Sequence, residues 1–249
     1  SGPLIRAELL RLDAEDHVLL VTVHHIVFDG WSVDVLLREL AASYDAFTKG
    51  NTPDLPNLPV QYADYAVWQR EQLTPEVIGQ HLAYWRSQLA GVPTILDLPT
   101  AQMPSAIQKK LVATQSFKLS LGLTSALRHL CQQQDTSLFV LLLTAFHTLL
   151  HRYTRQEQIL IGAPFAGRSS GEVENLLGFF VNSLPVKADF SGNPEFLKLL
   201  RQVHNTVYMV QAHQDLPFDK LVQELQPARE ANRNPFFQAC LQLEMPLKP

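Results

Sequence analysis

The stretch HVLLVTVHHIVFDGWS, residues 17–32, decides the fold prediction because it joins two different patterns within a few residues. Residues 18–23 are an unbroken run of apolar or β-branched side chains, which is typical of a strand buried on both faces. The run meets two adjacent histidines, His24 and His25, and Asp29 and Gly30 follow closely. A buried strand that ends in two imidazoles with a carboxylate behind them indicates a functional loop.

The flanking sequence predicts a hairpin before the histidines and a helix after them. Residues 4–12 roughly alternate apolar and polar side chains, and DAED at 13–16 turns the chain. Ser32 is a favourable N-cap, and Gly50 is placed to end the helix. Between them the apolar side chains recur at helical spacing: Val33, Leu36, Leu37, Leu40, Tyr44 and Phe47. The histidine loop is therefore predicted to connect a central strand to an amphipathic helix.

The rest of the chain predicts helices that alternate with strands. Residues 51–59 hold three prolines and predict a linker, and residues 60–90 predict two helices with Trp68 and Trp85 on their apolar faces. Further on, the pattern predicts strands near 112–119 and in QILIGAPF, FVNSLPVKADF and FFQACLQLEM, and helices near 121–134, 137–152, 194–211 and 218–225. This alternation favours α/β layers around a sheet.

Composition limits the classes of function. The chain has 249 residues, is 46% hydrophobic and carries a formal charge of −4 from well-mixed charges, so nucleic acid and anionic membranes are poor partners. Cys131 and Cys240 are far apart and predict small core residues of a reduced, cytoplasmic protein. No apolar run approaches the ~20 residues of a membrane span. The chain starts at Ser1 directly in strand-like sequence, which we interpret as a piece of a larger polypeptide.

Three interpretations of the histidine pair compete. The first makes His24 and His25 ordinary hydrogen-bonded residues at a strand end. The second is a metal site, which the sequence disfavours because adjacent strand residues point to opposite faces and no H-E-x-x-H helix or other supporting ligand spacing is present. The third is acyl transfer without a covalent intermediate, in which one imidazole faces the site and the aspartate fixes the loop.

The absence of a recognisable nucleophile motif favours the third interpretation. The sequence contains no G-x-S-x-G elbow, no P-loop and no G-x-G-x-x-G, and neither cysteine has an activating context. Histidine suits the remaining chemistry because its unperturbed pKa, about 6.5, allows it to accept a proton near neutrality. General-base assistance typically contributes ~10²–10⁴ in rate.

At this point the sequence resembles the condensation domains of non-ribosomal peptide synthetases, within the chloramphenicol-acetyltransferase-like superfamily. HHIVFDGWS fits the family's H-H-x-x-x-D-G signature. IGAPFAGR, LLGFFVNSLPV, HQDLPFDKLV and RNPFFQ resemble its further blocks in the expected order. Five ordered blocks are much more specific than one short motif, and they extend over nearly the whole chain.

The resemblance implies roles for individual residues of the loop. His25 resembles the histidine that positions or deprotonates the attacking amine, and His24 resembles its structural partner. Gly30 is expected to permit close backbone approach of a tethered substrate. Trp31 and Ser32 are expected to line the substrate channel, although a core position is an equal expectation for Trp31.

A further implied feature is an ion pair that holds the loop. Asp29 resembles a carboxylate that pairs with a distant arginine, and Arg168 of APFAGR is our candidate for that arginine. Arg168 follows the strand-like ILIGAPF, so it can reach a sheet end, and we expect it to clamp both carboxylate oxygens in a planar fork. A surface arginine is the alternative.

The implied fold is α/β, an acetyltransferase-like layered fold with mixed sheets flanked by helices. Residues 1–50 would be the end of a first lobe with the histidine loop, residues 51–109 a linker with bridging helices, and residues 110–249 a second lobe. The implied reaction is amide-bond formation between two thioesters on carrier proteins, with neighbouring carrier and adenylation domains as partners.

The resemblance also implies that no cofactor or metal binds directly, since the phosphopantetheine arms belong to the carriers. Two rival functions remain open: an epimerisation domain of the same superfamily, which inverts an α-carbon, and a non-catalytic docking module. Modules of the second kind need not keep the histidines, whereas this chain has both of them and Asp29.

Overall fold

A computed structural model describes residues 2–99, 113–227 and 233–244. These residues form two compact units: one comprises residues 2–79 and 165–182, and the other comprises the described residues of 80–164 and 183–244. Both units contain helices and a two-stranded sheet, so the α/β prediction is confirmed. The lobe boundaries at 50 and 109 stay a prediction.

The predicted hairpin opens the chain, but it is not buried. β1 (Ile5–Arg11) pairs antiparallel with β2 (His17–Val23), in a register that sets Ile5 opposite Val23. Almost every side chain of both strands is exposed. The prediction of a strand buried on both faces is therefore wrong for β2, because burial needs a covering layer. In the described part of the chain this sheet has two strands and its faces stay largely open.

The predicted helix follows as α1 (Gly30–Thr48), and it starts earlier than expected. Asp29 is the N-cap, because its carboxylate accepts the Ser32 N–H at 2.9 Å. The prediction that Ser32 is the N-cap is wrong, since Ser32 already lies inside the first turn. Gly50 adopts a left-handed φ of 74° just after the helix, in agreement with its predicted role.

The apolar stripe predicted for α1 is largely exposed, which differs from expectation. Among its members, Leu36 alone is partly buried. The neighbouring face of α1 is covered instead, with Ser32 and Val35 buried. Helical periodicity identifies an apolar face but does not state whether a layer covers it.

Two helices follow a linker without regular structure, as predicted. They are α2 (Tyr62–Gln72) and α3 (Pro75–Leu89). Of the two tryptophans predicted to lie on apolar faces, Trp85 on α3 is fully buried, whereas Trp68 on α2 is about half exposed.

Apart from Phe165 and Asn182, which belong to the first unit, the second unit contains the next six elements: α4 (Leu121–Gln133), α5 (Leu138–Thr154), β3 (Gln158–Phe165), β4 (Asn182–Asp189), α6 (Phe196–Ala212) and α7 (Phe218–Leu225). All six were predicted close to these bounds. Ser120 and Ser137 cap α4 and α5 by accepting backbone N–H groups. The core of this unit includes both strands, where residues 159–163 of β3 and 184–186 of β4 are buried.

Two predicted strands do not form in the described residues. Residues 113–119 have no strand partner, and residue 112 lies outside the described range. Residues 236–244 make only a bridge between Gly162 and Cys240, and Met245 lies outside the described range. The Asn234 side chain accepts the N–H groups of Phe236 and Phe237, which diverts these donors from a ladder.

The two cysteines lie in different environments. Cys131 is buried as predicted, whereas Cys240 is exposed, so the core prediction is wrong for Cys240. Among the described residues no helix is both long and apolar enough to span a membrane.

Candidate active site

The histidine pair lies in a short 3₁₀ turn directly after β2. The hairpin ladder extends to His24, whose N–H donates to Leu4 O at 2.8 Å. His24 then leaves the strand in an extended conformation, and its Nδ1 accepts the Ile26 N–H at 3.1 Å, which caps the turn His25–Val27. Both imidazoles are exposed. Both histidines therefore lie on an accessible surface at the end of the strand.

The hydrogen bonds assign different tautomers to the two rings. His24 Nδ1 accepts a hydrogen bond from the Ile26 N–H, so in the neutral ring the proton is on Nε2. His25 Nδ1 lies 2.5 Å from Phe28 O, and because a carbonyl only accepts, the proton of that ring is on Nδ1. Neutral His25 therefore has its free lone pair on Nε2. Of the two side chains, His25 presents the unoccupied basic nitrogen.

Asp29 is buried a few residues beyond the histidines and holds two segments together. Its Oδ1 accepts from the Ser32 N–H at 2.9 Å and the Ser32 hydroxyl at 2.7 Å. Its Oδ2 accepts the Phe180 N–H at 3.0 Å. Burial raises the pKa of this carboxyl, but the hydrogen bonds from Phe180 and Ser32 and the charge of Arg168 outweigh burial, so the pKa is lowered overall. The carboxylate is thus ionised and fully engaged.

Arg168 lies against Asp29, and the structure brings these two predicted residues together. Arg168 Nη2 is 3.2 Å from Asp29 Oδ1, and the two side chains are 1% and 2% exposed. Burial lowers the pKa of the guanidinium, and the negative charge of Asp29 opposes that effect.

The expected planar fork is absent from this pair. Nη2 alone approaches both oxygens of Asp29, at 3.2 and 3.5 Å, while Nη1 donates to Val173 O at 2.6 Å and Leu176 O at 2.8 Å. The fork prediction is wrong because the two backbone carbonyls occupy the second nitrogen. The centroid of the Phe180 ring lies 4.0 Å from the guanidinium carbon, which adds a cation–π contact.

Ser32 belongs to the same buried network and does not line an accessible channel. Its hydroxyl donates to Asp29 Oδ1 and accepts from the Gly178 N–H at 3.0 Å and from Arg168 Nη2 at 3.1 Å. The residue is fully buried, so the prediction of a channel position is wrong. Its proton and both lone pairs are used inside the protein.

Trp31 and Gly30 lie at the exposed start of α1. Trp31 is about half exposed, which excludes a core position in the described structure, and its Nε1–H donates to Glu174 O at 2.8 Å. A Cβ on Gly30 would meet no protein atom within 4 Å. Packing within the protein therefore does not require this glycine, and close approach of a substrate stays the predicted reason for it.

Sequence reasoning missed the residues that join His25 to this network. Phe179 contacts the His25 ring edge to face, with centroids 5.2 Å apart, and Tyr62 donates its hydroxyl to Phe179 O at 2.8 Å. A side chain on Gly178 would overlap the Tyr62 ring, and one on Gly167 would overlap Phe180 O. The signal in the sequence was the GFF triplet, where a glycine precedes two aromatic residues.

The described residues contain no group of three or more His, Cys, Asp or Glu side chains arranged to hold a metal ion. Metal independence of the site remains a prediction that chelation can test.

The fold and the site together define a class of protein: an acetyltransferase-like α/β fold with an H-H-x-x-x-D-G turn. A family model described as the Condensation domain matches residues 1–248. The chain belongs to the condensation-domain family.

Relatives of known name agree with this assignment. The chain is 46% identical over 244 residues to one of the linear gramicidin synthase proteins of Brevibacillus parabrevis, and the match covers 98% of this chain and 5% of the relative. It is 41% identical over 244 residues to a phosphinothricin tripeptide synthetase of Streptomyces viridochromogenes, with 98% and 22% covered. The chain thus spans a small part of the length of these relatives.

Solved structures support the fold. The X-domain from teicoplanin biosynthesis superimposes with a TM-score of 0.85 at 31% identity, over 97% of this chain and 55% of that chain. The first condensation domain of the CDA synthetase has a TM-score of 0.80 at 19% identity, over 99% and 53%, and this likeness concerns the fold alone.

Proposed function

We propose that this chain is part of a condensation domain that forms an amide bond between two substrates held as thioesters on carrier proteins. The acceptor's α-amine attacks the donor's thioester carbonyl, so a C–N bond forms and the C–S bond breaks. The amine loses a proton, and the departing thiolate of the donor arm gains one. No group of the protein is bonded to the substrate at any stage, which suits a site without a nucleophile motif.

The observation that carries the proposal is the free Nε2 of His25. The ring is exposed, its Nδ1 is fixed by Phe28 O, and its neutral form therefore offers a lone pair at the accessible nitrogen. Such a nitrogen is able to accept the amine proton or to hold the amine in line with the carbonyl. His24 takes the structural role because its Nδ1 caps the turn.

Asp29 and Arg168 support the reaction indirectly in this proposal. Both side chains are buried, so they do not touch substrate. Their contacts join the start of α1 to residues 178–180, and this network holds the loop after His25. Gly30 and half-exposed Trp31 then border the approach of the tethered arms.

The substrates and partners follow from the same proposal. Phosphopantetheine arms on an upstream and a downstream carrier domain would bring the two thioesters, and an adjacent adenylation domain would load the acceptor carrier. The relatives named above are large synthetases, which supports such a multidomain setting. The free state of Cys131 and Cys240 fits the reducing cytoplasm that we propose as the location.

The test is an assay of the complete domain with two carrier proteins, one loaded with an aminoacyl or peptidyl donor and the other with an aminoacyl acceptor. Mass spectrometry of the arms should find the donor group transferred to the acceptor. A donor whose α-carbon is inverted without transfer would instead assign epimerisation, and absence of both reactions in a folded domain would contradict an enzymatic function.

One observation favours a second candidate, a docking module. The X-domain has the TM-score of 0.85 given above, and a further solved structure is a complex of the X-domain and OxyB from teicoplanin biosynthesis. A domain with this fold is therefore able to bind another protein. Retention of His24, His25 and Asp29 supports catalysis, and a domain that binds a partner but does not transfer the donor would favour docking.

A further inference from the structure

We propose that Phe179 is a positioning residue for His25 and that Tyr62 holds Phe179 in place. This inference rests on the proposed function, because it concerns the geometry of the nitrogen that meets the amine. It adds two residues that lie outside the H-H-x-x-x-D-G motif and outside the ion pair between Asp29 and Arg168.

The backbone around Phe179 is held at three consecutive residues by three different partners. The Gly178 N–H donates to Ser32 Oγ at 3.0 Å, Phe179 O accepts the Tyr62 hydroxyl at 2.8 Å, and the Phe180 N–H donates to Asp29 Oδ2 at 3.0 Å. These bonds fix two peptide groups, the one that carries the Gly178 N–H and the one that joins Phe179 to Phe180, and this leaves the backbone of Phe179 little freedom. Its side chain therefore leaves the chain from a well-defined point.

The ring of Phe179 packs against the His25 imidazole. The two ring centroids are 5.2 Å apart and the planes are inclined by 79°, an edge-to-face geometry that aromatic pairs prefer. One hydrogen bond at Nδ1 leaves an imidazole free to tilt about that bond. A perpendicular ring beside it restricts the tilt, so Phe28 O and Phe179 together define where Nε2 points.

Tyr62 determines the position of Phe179 from α2. Its ring occupies the space beside Gly178, where any side chain would overlap it, and it packs edge to face on Phe180 with centroids 5.0 Å apart. Burial and the nearby charge of Asp29 raise the pKa of Tyr62, while Arg168 opposes that shift. The hydroxyl therefore stays protonated and able to donate to Phe179 O.

The kinetic test compares three variants in the complete domain. Phe179→Ala removes the ring, Phe179→Leu keeps apolar volume without the aromatic edge, and Tyr62→Phe removes only the hydroxyl. We expect kcat to fall roughly 10- to 100-fold for Phe179→Ala, since small misplacements of a catalytic group have effects of this size. Phe179→Leu and Tyr62→Phe should lower kcat by smaller factors. In all three variants KM for both loaded carriers should stay within about two-fold of the wild-type value, because the change affects the reaction step and not substrate binding.

The matched control is Phe196→Ala. Phe196 is 38% exposed and Phe179 is 39% exposed, but Phe196 begins α6 in the other unit. It should retain wild-type kcat. A wild-type kcat for Phe179→Ala, or an equal loss for Phe196→Ala, would overturn the proposal.

A second measurement reports the ring itself. In protein labelled with ¹⁵N-histidine, long-range ¹H–¹⁵N spectra distinguish Nδ1–H from Nε2–H rings, and His25→Gln assigns the signal. We expect the Nδ1–H pattern for His25 in the wild type and a mixed pattern in Phe179→Ala. An unchanged pattern would overturn the positioning role. Because these spectra need no substrate, failure of amide formation in the wild type would refute the proposed function without deciding this inference.

Discussion

His24 and His25 are adjacent, yet their Nδ1 atoms have opposite hydrogen-bonding roles: His24 accepts from the Ile26 N–H and His25 donates to Phe28 O. The two rings therefore differ in which nitrogen is free. A proton acceptor is available at the accessible nitrogen of His25 and is already engaged in His24. The sequence alone does not distinguish them, because both side chains have the same chemistry until the backbone partner is known.

This difference predicts unequal effects of substitution. His25→Ala in the complete domain should reduce amide formation by ~10²–10⁴, the usual range for loss of a general base. His24→Ala should retain most activity and lose about 0.5–1 kcal/mol of unfolding free energy, because the exposed Ile26 N–H loses its partner but can turn to water. His24→Asn, whose amide oxygen can accept the same N–H, is the matched variant and should restore stability. Equal, purely catalytic losses at both positions would contradict the division of roles.

The buried ion pair predicts strong coupling between Asp29 and Arg168. Each single change to alanine should cost ~3–5 kcal/mol, because it leaves an uncompensated buried charge. The double variant should cost less than the sum, with a coupling of about 0.5–3 kcal/mol in urea unfolding. It should still be destabilised, since Asp29 also caps α1 and accepts from Phe180.

The control for this cycle is an exposed pair of the same kind. Lys49 and Asp45 are 2.7 Å apart at the end of α1 with about two thirds of each side chain exposed. Lys49→Ala and Asp45→Ala should each cost less than about 1 kcal/mol. Strict additivity for Asp29 and Arg168 would show that the contact does not stabilise the loop.

The stability of the fold should depend on pH through His147 of α5. This ring is fully buried between Leu143 O and Val186 O, and burial is the main reason that its pKa is lowered to about 4, with the backbone hydrogen bonds opposing the shift. The unfolded chain binds a proton near pH 6.5, so stability is complete above about pH 6.5 and is lost as the pH falls toward 4. The loss is on the order of 3 kcal/mol.

Urea unfolding at several pH values between 7 and 4 measures this effect. His147→Gln should flatten part of the slope, because its side chain does not titrate. His213 adds a contribution of the same sign, since burial and the charge of His81 lower its pKa. Asp29 acts in a lower window: its pKa is lowered, so its contribution persists above the unfolded value near 3.9 and is lost below it. Identical slopes for the wild type and His147→Gln would contradict the role of His147.

Metal removal should leave the activity unchanged. The free nitrogen of His25 requires no metal to accept a proton, and the predicted mechanism uses none. The complete domain should keep its rate of amide formation after exhaustive treatment with a chelator. Elemental analysis of the treated protein checks that no metal remains. Recovery of one equivalent of a transition metal, with loss of that metal in His25→Gln, would contradict the mechanism.

Sequence pattern predicted the order and type of nearly all helices and strands, but it did not predict burial. The runs in β2 and β3 look alike, yet β3 is buried and β2 is exposed. An apolar run indicates that a strand can be buried, but whether it is buried depends on other elements of the fold packing over it. The α1 stripe differs from prediction for the same reason.

The site could be predicted residue by residue only where a motif marked it. The resemblance led to His25, Asp29 and Arg168, but not to the geometry of their contacts. The N-cap was misplaced because Asp29 and Ser32 are both good capping residues, and only the backbone decides between them. Tyr62 and Phe179 were missed because their contact joins residues 117 positions apart through a single hydroxyl.

The use of a backbone group at Ile26 has a consequence for engineering. The turn requires the N–H of this residue for His24, whereas its side chain is 64% exposed and directly follows His25. Most amino acids supply the same N–H, so position 26 is a place where a library can change the size and polarity of the surface beside His25 while the turn keeps its hydrogen bonds. Proline, which has no N–H, is the residue to omit from such a library.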